Sequence, residues 1–226
     1  MSDASGGEYA FAEGVPIEPV PPGTTLLVAG PGLSRAEDLA RTMVTDGTER
    51  DDGMLFISTN MTAKKLLAAC RRGQPSLRTQ HLGIIDCSGQ DLSRPNDEVD
   101  VKYVSTQSDL TGIGMKFSAL YESLYQTVPD GRVRTGLISL SSLLMYVDLR
   151  KLFRFAQTLS GRIDSADGLG VFAIDPSTHD TQTVNTLGQV ADGRIEVRET
   201  DGDADGELRV RGIRDQPDGW QPFTLP

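Results

Sequence analysis

At 226 residues and a formal net charge of −10, the chain is long enough for one domain with a sizeable core. Its charge argues against nucleic acid as the primary partner, because phosphate binding draws on clustered Lys and Arg. No apolar run approaches the roughly 20 residues of a membrane-spanning helix, and the start lacks the basic and apolar regions of a signal peptide, so a cytoplasmic protein without a membrane partner is expected. Cys70 and Cys87 lie apart, with no CxxC spacing and no His cluster nearby, which supports neither a zinc site nor a redox motif and leaves two buried, reduced thiols.

In chain order, residues 1–23 are polar, Gly-rich and interrupted by proline; they are expected to form a flexible leader, with Phe11 or Ile17 as points of docking. Thr25–Ala29 (TLLVA) reads as a strand that stops at Gly30-Pro31-Gly32, after which Ala36, Leu39, Ala40 and Met43 recur at helical spacing. Met54–Ser58 is a second strand, followed by a helix with Ala63, Leu66, Leu67 and Cys70 on one face. Leu82–Cys87 is a third, and the polar run from Ser88 to Asp100 reads as a loop before a short strand at Val101–Ser105.

A longer helix starts near Gly112, carries Ile113, Phe117, Leu120, Tyr121, Leu124 and Val128 at 3, 4, 7 spacing, and ends at Pro129-Asp130-Gly131. A strand at about Thr135–Leu140, a helix burying Leu149, Leu152, Phe153, Ala156 and Leu159, and a strand at Gly168–Asp175 follow. After a helix bearing Val184, Leu187 and Val190, the pattern becomes alternation at Ile195 and Val197, then Leu208 and Val210, which predicts an antiparallel hairpin. The sum is an α/β domain over residues 24–213: a mostly parallel central sheet with helices on both faces, closed by an antiparallel C-terminal hairpin. Residues 214–226 are expected to dock on it as a tail.

Ligands of such sheets sit beyond the carboxyl ends of the strands, so the first turn comes first. Gly30-Pro31-Gly32-Leu33-Ser34-Arg35-Ala36-Glu37 occupies the place of a phosphate-binding loop. A working loop ends Gly-Lys-Ser/Thr, the Lys for the terminal phosphates and the hydroxyl for magnesium; here those places read Arg35, Ala36 and Glu37. The second strand runs into Asn60-Met61, and Leu137-Ile138-Ser139-Leu140-Ser141 closes a later one.

With the order of elements from about Thr25 to Ile213, these stretches resemble the KaiC- and GvpD-like branch of RecA-superfamily ATPases, and the Asp-rich, Lys-poor composition resembles that of haloarchaeal proteins. If the composition reflects a molar-salt setting, where the Debye length shrinks to roughly 3 Å, low salt should destabilise the chain. The family places adjacent glutamates where Asn60 and Met61 stand, and a magnesium-assisting Asp where Ile138 stands. The resemblance therefore implies a RecA-like fold with a degenerate phosphate loop, in which ATP turnover is not expected and no cofactor is assigned. On the residues alone the turn reads as a turn, with a smaller anion at its amides and Arg35 as the other reading. A dinucleotide fingerprint is only half matched, since Arg35 takes the third glycine's place.

Three further features stand out. Ser108, Asp109, Thr111, Gly112 and Gly114 form a polar, glycine-containing helix entrance, read as a cap at Asp109 or as an interaction loop. Asp175, His179 and Asp180 flank Pro176 as a strand end and helix start would, which favours turn and cap duty over catalysis. Asp201, Asp203 and Asp205 match the opening of a calcium loop, but Gly212 takes the place of its twelfth-position Glu; an acidic hairpin turn accounts for them, and they are at most a weak metal site. The function expected is that of an inactive RecA-like module binding a protein partner or itself in a regulatory role. A divergent ATPase and a nucleotide or anion sensor without turnover are the alternatives.

Overall fold

Thr25–Ala29 (β1), Gly53–Ser58 (β2), Leu82–Asp86 (β3), Val133–Ile138 (β5) and Leu169–Ile174 (β6) are buried at every residue, as strands covered by helices on both faces must be. A computed structural model describes residues 7–32, 34–89 and 99–226. The expected leader residues 1–6, Leu33 of the first turn and 90–98 of the expected loop lie outside the described residues. Asp100–Tyr103 (β4) forms one edge, and the strand order through the sheet is β4-β3-β2-β5-β6-β1, continuing into Gly193–Arg198 (β7), Gly206–Arg211 (β8) and Gln221–Phe223 (β9). β7 runs parallel to β1. β8 pairs antiparallel with β7, in a register that sets Ile195 opposite Val210 and Val197 opposite Leu208, the alternation seen in the sequence.

Helices cover both faces. Ala36–Thr45 (α1) and Ala63–Gly73 (α2) bury Leu39, Ala40, Met43, Leu66 and Cys70 with Leu26 and Val28 of β1. Leu110–Thr127 (α3), Leu140–Leu144 (α4), Leu149–Ser165 (α5) and Thr181–Gly188 (α6) bury Ile113, Phe117, Leu143, Leu152, Leu159 and Leu187 on the opposite face, with Leu27 and Ala29. Successive β1 residues therefore feed two cores. Among the described residues no helix is long and apolar enough to cross a membrane.

Two expectations change. From Gly7 on, the supposed flexible leader is a packed strap: Tyr9, Phe11, Val15, Ile17 and Val20 are all in the α1/α2-side core, and Tyr9 and Val20 exchange backbone hydrogen bonds at 2.8 and 3.0 Å. Proline removes ladder donors but does not keep the intervening apolar side chains from burial. The fifth strand begins two residues before the expected Thr135, because Arg134 is fully buried in it. Its Nε donates to Asp52 Oδ2 at 2.7 Å, and its remaining nitrogens donate to the carbonyls of Met43 and Ala10 at 2.9 and 3.0 Å. A buried guanidinium with its hydrogen bonds filled can sit in a strand that composition alone would start later.

Candidate functional site

The turn between β1 and α1 is drawn in tightly. A Cβ on Gly30 would come within 2.4 Å of Ser34 Oγ and 2.9 Å of the Ala36 and Val197 side chains, so only glycine allows this approach. The N–H and hydroxyl of buried Ser34 both donate to Pro31 O, at 2.8 and 2.6 Å. Arg35 caps α1 from the left-handed region at φ 63°, a conformation that costs a residue with a side chain about 1 kcal/mol. Its guanidinium meets Asp38 at 3.2 Å and Asp205 at 3.3 Å. Ala36 is buried, and Glu37 accepts hydrogen bonds from Asn60 Nδ2 at 3.1 and 2.9 Å. Gly32 lies against Asp175, whose Oδ2 would be 3.3 Å from a Cβ there.

At the ends of β2 and β5, buried Thr59 ties the two strands: its Oγ1 lies 2.6 and 2.8 Å from the carbonyl oxygens of Ile138 and Ser139. Ile138 is fully buried in the core beneath α1 and α2, and Met61 packs against that core. Ser139 adopts φ 72° and caps α4 through Ser142 N–H. Asp86, at the end of β3, is one residue that sequence reasoning missed. It is 2% exposed, accepts the Ala63 N–H at 2.7 Å through one oxygen and the Ser88 N–H and hydroxyl through the other, at 2.9 and 2.7 Å. Its place as the last residue of an apolar run, one strand over from Asn60, was the available signal.

Asp109 Oδ1 accepts the Gly112 N–H at 2.8 Å, the N-cap of α3. Gln107 Nε2 reaches Thr59 O at 3.5 Å, which joins this entrance to the strand ends. Ser108, Asp109, Thr111 and Gly114 themselves open elsewhere, into a groove of about 730 Å³ between α3 and α5. The turn with Asn60 and Asp175 at the strand ends and the groove between α3 and α5 are thus two separate sites.

Asp175 Oδ1 accepts the Ser177 N–H and hydroxyl at 2.8 and 2.5 Å. Asp180 caps α6 by accepting the Thr183 N–H at 2.6 Å, a bond that, with the nearby His179, holds its carboxyl below the usual range. In the β7–β8 turn, Asp205 is tied into the fold: it accepts the Leu225 N–H at 2.8 Å as well as meeting Arg35. Asp201 and Asp203 stay exposed. Among the described residues no group of three His, Cys, Asp or Glu is placed to hold a metal ion.

Comparison with solved structures bears on the fold. A KaiC-like protein of the hyperthermophilic archaeon Pyrococcus horikoshii OT3 matches with a TM-score of 0.65 and 14% identity, over 96% of this chain and 92% of that one, which establishes a RecA-like, KaiC-like fold. No functionally curated protein matches the chain. Residues 23–197 match a family of unknown function, DUF7504, and the chain belongs to that family.

Proposed function

We propose that this chain is a RecA-like domain that does not turn over ATP and acts by contacting a protein partner or a further copy of itself, in a regulatory role. The observation that carries this reading is the Glu37–Asn60 hydrogen-bonded pair. In the order of elements Glu37 stands where a phosphate loop has its magnesium-binding hydroxyl, and Asn60 where the water-polarising carboxylate belongs.

A magnesium triphosphate does not fit the residues present. Ala36 is buried and has no reach, the Glu37 carboxylate repels a phosphate, Arg35 blocks the glycine place with a side chain ion-paired to Asp38 and Asp205, and Ile138 is core. No phosphoryl-transfer step can be written through these groups. What the strand ends retain is a polar rim on a rigid sheet, the usual setting for recognition loops.

The test is titration calorimetry with ATP, with and without magnesium at high salt, beside a phosphate-release assay. No magnesium-dependent heat and no release above background are expected. Magnesium-dependent turnover that Glu37→Ala or Asn60→Ala abolishes overturns the reading.

A further inference from the structure

α5 carries Arg150, Lys151, Arg154 and Arg162 against one acid, Asp164, in a chain of net charge −10. Many of the other arginines are neutralised where they stand: Arg132 and Arg134 by Asp52, Arg209 and Arg211 by Glu196, Arg198 by Glu207, Arg41 by Asp38. Among the described residues no carboxylate pairs with Arg150, Arg154 or Arg162, and Lys151 meets only the exposed Asp148 of its own first turn, at 3.1 Å.

Lys151, Arg154, Thr158 and Arg162 are spaced i, i+3, i+7 and i+11, one stripe along the helix. Phe155 and Leu159 lie beside that stripe, facing α3, and together they form one wall of the 730 Å³ groove. Leu110, Gly114, Met115 and Ser118 form the other wall. Gly114 leaves room in the groove: a Cβ there would touch only Phe155, at 4.0 Å. Met115 is 66% exposed there, an adaptable apolar surface. Arg162 closes the far end by donating to Ser118 Oγ and approaching Gly114 O at 3.4 Å. Asp109, the acid at the mouth, is engaged in its cap to Gly112.

We infer that this groove docks an acidic amphipathic helix of a partner protein, its apolar face on Leu110 and Met115 over a floor of buried Phe155 and Leu159 and its carboxylates on Lys151, Arg154 and Arg162. This deepens the interaction reading above and rests on it. From Lys151 to Arg162 the stripe spans about 16 Å, three turns of a docked helix. A second copy set symmetrically on the groove would oppose basic stripe to basic stripe, which repels. A nucleic-acid strand would use the cations and leave the apolar walls without a partner.

The experiment measures fluorescence anisotropy of a synthetic helical peptide of about 14 residues, with leucines on one face and glutamates on the other, against the full chain. The same peptide with lysines for glutamates and a single-stranded DNA oligonucleotide are the comparison probes. Binding of the acidic peptide alone is expected, weakened at least about tenfold by the double change Lys151→Glu with Arg154→Glu and, separately, by Met115→Glu, and unchanged by Arg214→Glu. All of these residues are exposed, so melting temperatures should hold and report folding directly. Absence of binding, equal binding of the lysine peptide, binding indifferent to the groove variants, or DNA binding lost with the cations but not with Met115→Glu each overturns the proposal. ATP calorimetry reads the turn between β1 and α1, so a failed groove with no ATP turnover removes the docking site and leaves the non-catalytic reading in place.

Discussion

Asn60 Nδ2 lies 2.9 Å from one oxygen of Glu37 and 3.1 Å from the other, so the end of β2 is tied to the first turn of α1 by an amide and a carboxylate. Asn60 is exposed and Glu37 partly so, and water competes for both groups. Asn60→Ala should therefore cost less than about 1 kcal/mol in urea unfolding and should not unmask phosphate release from ATP. A loss above about 2 kcal/mol would mean that the pair holds the turn in place.

Arg134 is the opposite case. It is fully buried, and burial works against its charge while Asp52 and Asp46 support it. Removing it leaves Asp52, 1% exposed, with Arg132 alone at 3.1 Å, and frees the Ala10 and Met43 carbonyls. Arg134→Ala should lower stability by about 3–5 kcal/mol, and protease digestion should then cut first within residues 7–23, whose strap it anchors. Cleavage elsewhere with the strap intact would contradict that anchoring.

These two pairs also mark what the sequence conceals. Four of the five fully buried strands were legible because a sheet covered on both faces demands uninterrupted apolar runs, and the amphipathic stripe of α3 because its period is 3.6. Arg134 was not, since a charge reads as a strand boundary until its partners, some 80 to 120 residues away, are known. The strap was hidden for a related reason: Tyr9 and Phe11, and Val15 and Ile17, stand two apart, but Glu13, Pro16, Pro19 and Pro21 break the alternation. At the site, each substituted position in the turn could be read singly, but the Glu37–Asn60 contact and the groove walls, drawn from helices some 40 residues apart, exist only once the strand order is set.

Gly206 begins β8, where an added Cβ would meet Phe223 at 2.8 Å and Arg198 O at 2.9 Å. Gly206→Ala should cost about 1–3 kcal/mol by overpacking against β9. Calcium should leave the melting temperature unchanged in both proteins, because Asp205 is already engaged by Leu225 N–H and Arg35. A rise in melting temperature at micromolar calcium would restore the metal reading of Asp201, Asp203 and Asp205.

Burial pushes the Cys70 and Cys87 thiols up to about 12. The thiolate is the reactive form, so at pH 8 neither should react with a disulfide reagent in the native protein, and both should on unfolding. The folded-state values lie above the ordinary 9.0, so the unfolded chain gives up these protons first. Stability is full below pH 9 and should fall between about pH 9 and 12, with Tyr9, pushed from 10.0 to about 12 mainly by burial, adding to the decline. A stability flat across that window would show the thiols to be open to water.

The α3 entrance offers a prediction with a change of sign. Asp109 Oδ1 caps the Gly112 N–H at 2.8 Å, and a Cβ on Gly112 would lie 2.1 Å from Asp109 Oδ2, so the cap and the glycine occupy one space. Asp109→Ala alone should cost about 0.5–2 kcal/mol. Gly112→Ala alone gains helix propensity, about 1 kcal/mol, but drives the carboxylate off its N–H, so it should be neutral or destabilising. With Asp109→Ala already present that conflict is gone, and the same Gly112→Ala change should stabilise by up to about 1 kcal/mol. A double-mutant cycle from urea unfolding reads the coupling directly. Equal effects of Gly112→Ala in both backgrounds would show that the Asp109 carboxylate does not hold the cap.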